Sequence, residues 1–175
     1  MCAATEYVSV DDILDEAKNL GQDPFIVIAD GITDPHNLGA VIRTACAAGA
    51  HGLIISKRRS CGVNETVEKV ASGAVENLKI AKVSNLNDTV KHLKNAGVWV
   101  VGTDVSGEKT LYQQDLTGSI ALIVGSEGEG MSNLLKQNCD FLINIPMSGK
   151  IQSLNASVAT GIVLYEIVRQ RGNKK

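Results

Sequence analysis

Five short apolar runs set the limits on what this chain can fold into: Phe25–Ala29, Gly52–Ile55, Val98–Gly102, Ile120–Gly125 and Phe141–Ile145. They are rich in Val and Ile, and most lack the polar alternation of a sheet that is wet on one face. That is the pattern of a parallel sheet covered by helices on both faces. Helical patterns fall between the runs, at Leu38–Ala48, Asn64–Ala71, Leu86–Asn95 and Met131–Gln137, with the longest at Ala156–Arg169. Gly97 is placed to end the third of these as a C-terminal glycine. Alternating strands and helices predict an α/β domain with a mostly parallel sheet. Residues 1–23 read as an arm with a peripheral helix over Val10–Leu20, or as the remnant of a linker, and residues 24–175 as the domain proper.

A chain of 175 residues, 44% apolar and 21% charged, matches one domain with a real core. Its net charge of −2 does not advertise a nucleic-acid partner, and 3% aromatics argues against a base-stacking sheet. The mean hides an asymmetry. Six of the 19 acids and only Lys18 among the 17 bases lie in residues 1–23, so the remainder is net basic. Lys57-Arg58-Arg59 and the tail Arg169, Arg171, Lys174, Lys175 are local basic clusters, either solvated surface or contacts to a polyanion. Cys2, Cys46, Cys61 and Cys139 show no C-x-x-C spacing, and His36 and His51 no metal spacing, so no metal is expected. The acidic start has neither the basic residues nor the apolar run of a signal peptide, and no run approaches a membrane span. A cytoplasmic protein with no membrane partner is the expectation.

In α/β folds ligands collect at loops after the C-terminal ends of strands. Three such loops stand out. In the first, 30–39, Asn37 is a candidate N-cap or a ligand-binding amide. Arg43 shares a helix face with Gly39, Ala40 and Ala47, which leaves space for a ligand beside it; a surface salt bridge is the alternative. The second is Gly125-Ser126-Glu127-Gly128-Glu129-Gly130-Met131-Ser132. Its glycines imply positive φ or close backbone approach. It lacks the lysine of a P-loop, the G-x-G-x-x-G fingerprint and the G-x-S-x-G elbow. Its glutamates would repel phosphate, so it suits a ligand with amines, hydroxyls or positive charge, or is simply a tight turn. The third loop, 145–157, brings Ser153, Asn155 and Ser157 to the start of the last helix, more polar side chains than one cap needs.

Together the stretches Asp34–Arg43, Gly125–Met131, and Ile145–Met147 with Ser153–Gly161 resemble the three motifs of the SpoU family of RNA ribose 2′-O-methyltransferases in the SPOUT superfamily. The resemblance runs from about Phe25 to Arg171. Tyr112, Leu116-Thr117-Gly118 and the Ser157–Gln170 helix look most like the branch that methylates a guanosine of 23S rRNA. The tRNA guanosine branch is the close alternative, and a non-catalytic RNA-binding protein that keeps the fold is another. The resemblance implies a C-terminal trefoil knot, which periodicity could not show and topology rules disfavour. It also implies S-adenosylmethionine as cofactor, RNA as partner and a homodimer. Carried over by position, the catalytic set is Asn37, Arg43, Glu127, Ser153 and Asn155. The cofactor set is Thr103, Gly125, Ile145, Met147 and Leu154. Longer relatives place a small RNA-binding domain ahead of the catalytic one, where this sequence has about 23 acidic-rich residues.

The implied reaction moves a methyl from a sulfonium to a ribose 2′-oxygen. Arg43 is a poor literal base, because guanidinium holds its proton above a pKa of ~12. The expected role is an electrostatic clamp on phosphate that lowers the cost of alkoxide character.

Overall fold

The computed structural model describes residues 4–126 and 128–172. The strands are β1 (Phe25–Asp30), β2 (Gly52–Ser56), β3 (Lys79–Val83), β4 (Trp99–Thr103), β5 (Lys109–Thr110), β6 (Ile120–Gly125) and β7 (Phe141–Asn144). The helices are α1 (Val10–Asn19), α2 (Pro35–Ala47), α3 (Glu65–Ala71), α4 (Ala74–Asn77), α5 (Leu86–Asn95), α6 (Asn133–Asn138) and α7 (Ala156–Gly172). The strands form a seven-stranded sheet in the order β3-β2-β1-β6-β4-β7-β5, and every pairing between them is parallel.

Period-two alternation along the buried strands feeds two separate cores. Phe25, Val27 and Ala29 of β1 point to the face covered by α2, α3 and α7, where Leu38, Ile42, Val67, Val163 and Ile167 meet them. Ile26 and Ile28 point to the opposite face, against Ile13 of α1, Val90 and Leu93 of α5 and Leu135 of α6. Both faces of the central strands are therefore dry, which is why they read as continuous apolar runs. Burying each such Ile or Leu contributes roughly 1.5–3 kcal/mol.

The N-terminal arm is integrated into this body. Ser9 and Asp12 form a capping box that starts α1, and Ile13 lies so close to β2 that a Cβ on Gly52 would sit 2.5 Å from its Cδ1. Val8 donates its N–H to Ile80 O at 2.9 Å, so the arm covers the β3 edge. Open edges invite pairing with other chains. Among the described residues no helix is long and apolar enough to cross a membrane.

Two of the differences from the sequence reading have a plain local cause. Strand β3 has the sequence Lys-Ile-Ala-Lys-Val, whose lysines mask it as a strand but suit its place at the edge of the sheet. Helix α2 starts three residues before the expected Leu38, because Asp34 is its N-cap and Pro35 opens its first turn. Asn37 is thus inside the helix and its side chain is free of capping duty.

Candidate active site

Strand β1 is the point where chain order reverses, since β2 lies on one side of it and β6 on the other. Such switch points open crevices beyond the C-terminal strand ends. A cavity of about 460 Å³ lies at the ends of β4, β6 and β7, within the ~300–1,000 Å³ range of small-molecule sites. Its walls include Thr103, Gly125, Ile145, Met147 and Leu154, the five residues expected to hold a cofactor, together with Ser153 from the catalytic set. A larger groove of about 870 Å³ between the arm and residues 73–79 contains none of the expected site residues.

The glycine loop closes one wall. Ser126 and Gly130 pair across it, with Gly130 N–H donating to Ser126 O at 2.9 Å. Gly128 and Gly130 take φ of +80° and +66°, where a side chain is strained. Gly125 is required for a different reason: a Cβ there would lie 2.4 Å from both Gly130 C and Met131 N. Ser132 caps α6 immediately after the loop.

The opposite rim carries charges that the sequence reading missed. Asp104 follows Thr103 out of β4 and pairs with Lys136 Nζ of α6 at 2.9 Å, and both line the cavity. Burial raises the Asp104 pKa, but hydrogen bonds from Ser106 and Lys136 outweigh it and hold the carboxyl below its ordinary value. The available signal was Asp104-Val105-Ser106 just beyond a strand end, a turn-forming pattern in a ligand-collecting position.

The first and third motifs meet directly. Asn155 Nδ2 donates to Asn37 Oδ1 at 3.1 Å, across 118 residues of sequence. The same Asn155 side chain is the N-cap of α7, its Oδ1 accepting from Ser157 N–H at 2.9 Å and Val158 N–H at 3.2 Å. One residue therefore anchors the longest helix and presents its amide to α2. Further along the two helices, a Cβ on Gly161 would stand 3.6 Å from Thr44 Cγ2, so α2 and α7 stay side by side.

Arg43 does not line the cavity. The space expected beside it is filled by α3: a Cβ on Gly39 would meet Val70 Cβ at 2.7 Å and Val67 O at 2.9 Å. The exposed guanidinium reaches Ser72 Oγ at 3.5 Å, at the C-terminal end of α3. Glu127 lies outside the described residues.

Of the basic tail, Arg169 binds Glu166 through two nitrogens, at 2.9 and 2.7 Å. Arg171 donates to Asp23 O at 2.7 Å and stacks over Phe25. These two arginines are committed to the fold rather than free for a polyanion; Lys174 and Lys175 lie outside the described residues.

The SpoU rRNA Methylase family matches residues 24–165. The chain belongs to that family. A 23S rRNA (guanosine-2′-O-)-methyltransferase, RlmB, of Yersinia pestis is 53% identical over 151 residues, covering 86% of this chain and 61% of the relative. The SpoU methyltransferase AviRb from Streptomyces viridochromogenes, solved in complex with AdoMet, superposes with a TM-score of 0.80 at 35% identity, over 87% of this chain and 60% of that one. A TrmH/SpoU tRNA modifying enzyme of A. aeolicus gives a TM-score of 0.79 at 35% identity, over 93% and 86% of the two chains. The chain thus spans about three fifths of the length of the first two relatives. The parallel α/β architecture expected from the apolar runs is the SpoU architecture.

Proposed function

We propose that this chain transfers a methyl group from S-adenosylmethionine to a guanosine ribose 2′-oxygen of 23S rRNA. The observation that carries the reading is the cavity at the ends of β4, β6 and β7, which draws Thr103, Gly125, Ile145, Met147, Leu154 and Ser153 from separate motifs into one wall. A rim with the Asp104–Lys136 pair, Glu129 and the apolar Met147 and Leu154 suits a ligand that carries an amine, a carboxylate and hydroxyls on a partly apolar frame. When bound, S-adenosylmethionine supplies an electrophilic methyl on a sulfonium. The guanosine of the 23S relative supports the substrate.

The chain's own residues divide the remaining work. Asn37 and Asn155, held to each other and to the α7 start, form a fixed polar pair that orients the ribose. Ser153 contributes a hydroxyl from the cavity wall, which Asn37 and Asn155 do not line. The Arg43 guanidinium clamps a phosphate and stabilises negative charge developing on the 2′-oxygen. Glu127 is the acidic member of the set. Removing a preorganised charge of this kind costs about 10²–10³ in rate.

The site is completed in a homodimer. Val158 and Tyr165, seven residues apart on one face of α7, are each 51% exposed and await a covering surface. The path from β7 through 145–155 into α7, which packs against α2, supports a trefoil knot in the domain 24–175, with the segment 1–23 as an arm whose Val8 lies on the β3 edge. Ribosomal RNA as substrate puts the protein in the cytoplasm.

The test is methyl transfer from labelled S-adenosylmethionine to deproteinised 23S rRNA and to tRNA, followed by nucleoside mass spectrometry. 2′-O-methylguanosine from 23S rRNA is the expected product, falling about 10²–10³-fold in Arg43→Ala. Label confined to tRNA overturns the rRNA assignment, and label on a base or on no RNA overturns ribose methylation.

A further inference from the structure

Arg59 sits outside the catalytic and cofactor sets, yet its guanidinium touches the glycine loop from the far side. Asp30 ends β1 directly beside Gly125 in the sheet register. Its side chain is only 4% exposed, and its Oδ1 lies 3.7 Å from Arg59 Nη1. Its other oxygen accepts from Ser132 N–H at 3.0 Å, the residue that closes the loop and caps α6. Arg59 Nη2 lies 3.9 Å from Glu129 Oε2 on the loop itself. A Cβ on Gly31 would stand 3.2 Å from that nitrogen and 3.7 Å from Ser126 Oγ, so the guanidinium is stacked on the β1–α2 turn beside the loop's first residue. The arginine is held from behind as well, since its own N–H donates to Ser56 Oγ at 3.1 Å.

These contacts are unequal. Glu129 is 84% exposed, so its pairing with Arg59 is screened and weak. Asp30 is buried and Arg59 half-exposed; among the described residues this is the ion pair that Asp30 makes, so truncating Arg59 leaves the carboxylate without its cation. The Asp30 carboxylate binds the loop's end through Ser132 and the arginine over its beginning. We propose that Arg59 is a positioning residue for the methyl donor: through Asp30 it fixes Ser126 and residues 128–132 in the shape that walls the cavity. The inference rests on the reading of that cavity as the S-adenosylmethionine site. It gives Arg59 a role distinct from Lys57 and Arg58, which are exposed as it is and which the sequence pattern groups with it as one basic cluster.

The experiment uses the full chain with Arg59→Ala, Arg59→Lys and the neighbouring control Arg58→Ala. Calorimetric titration with S-adenosylmethionine reads binding without RNA, and hydrogen exchange of residues 126–132 reads the loop without cofactor. Arg59→Ala is expected to weaken cofactor binding about tenfold and to speed loop exchange. Arg59→Lys recovers part of both, and Arg58→Ala matches wild type. In steady state the Arg59→Ala defect appears in KM for the cofactor, with kcat at saturating cofactor within about threefold of wild type. Unchanged affinity and unchanged loop exchange in Arg59→Ala overturn the proposal, as does a defect confined to KM for RNA. Wild-type protein that binds no S-adenosylmethionine overturns the reading of the cavity instead, and the exchange experiment then still decides whether Arg59 holds the loop.

Discussion

At Gly125 a single absent methyl decides whether the glycine loop can close. The backbone of Gly130 and Met131 occupies the space a Cβ would need, 2.4 Å away, and neither is a flexible side-chain end that could move aside. Gly125→Ala is therefore expected to open the loop and cost about 1–3 kcal/mol, the usual range for overpacking. For a chain of this size that is a fall in Tm of roughly 2–4 °C per kcal/mol, measurable by thermal unfolding. Cofactor affinity should fall further than stability, because the displaced segment is a cavity wall. A variant with wild-type Tm and wild-type affinity contradicts this account of the residue. The glycine pattern itself was legible, since three glycines in six residues after a strand signal special backbone geometry. Which of them serves contact and which serves positive φ was not, because that depends on the neighbouring turn. The resting place of Arg43 was equally hidden: small residues on its helix face look like room for a ligand, but long-range packing of α3 fills that room.

The α2–α7 pair is the element on which the reading of the site depends. Asn155 caps α7 and also reaches Asn37, so the two roles can be separated by choice of substitution. Asn155→Ala removes the cap and should cost about 1 kcal/mol in chemical denaturation. Asn155→Asp keeps an oxygen at the N-cap but has no N–H to give Asn37, so stability stays within about 0.5 kcal/mol of wild type while methyl transfer falls. Asn37→Ala breaks the same link from the other side and leaves the α7 cap in place. Wild-type transfer in both Asn155→Asp and Asn37→Ala contradicts a catalytic function for the link. Local signals located many of these elements. β6 begins and ends at the expected residues, and α5 lies between the Asn85 cap and a Gly97 at φ +84°. β3 escaped because its lysines break the apolar run, and β5 because two residues carry no pattern. The strand order was not legible either, since placing β6 between β1 and β4 is a matter of pairing across the whole chain.

Across the whole molecule, stability should respond to pH through His51. Its ring is buried, with Nδ1 accepting from Phe25 N–H at 2.9 Å and Nε2 placed 2.8 Å from Gln22 Oε1. That arrangement uses the neutral tautomer, with Nε2–H donating. Burial, and then the charge of Arg171, lower the His51 pKa against a smaller opposing pull from Glu16. The unfolded chain therefore takes up a proton first as pH falls through about 6.5. By linkage, stability holds above that pH and declines below it until the folded ring also protonates. His51→Gln should flatten the slope of unfolding free energy just below about pH 6.5 in urea titrations. An unchanged slope contradicts the assignment. The Glu166 carboxyl, held below its ordinary value first by its hydrogen bond from Arg169, acts in a separate window below about 4.5. The central claim concerns the crevice itself, and a crystal structure with S-adenosylmethionine tests it most directly. The ligand should lie between residues 124–130 and 143–154, with Gly125, Ile145 and Leu154 against it. Ligand density elsewhere, with that crevice filled by solvent, would contradict the account.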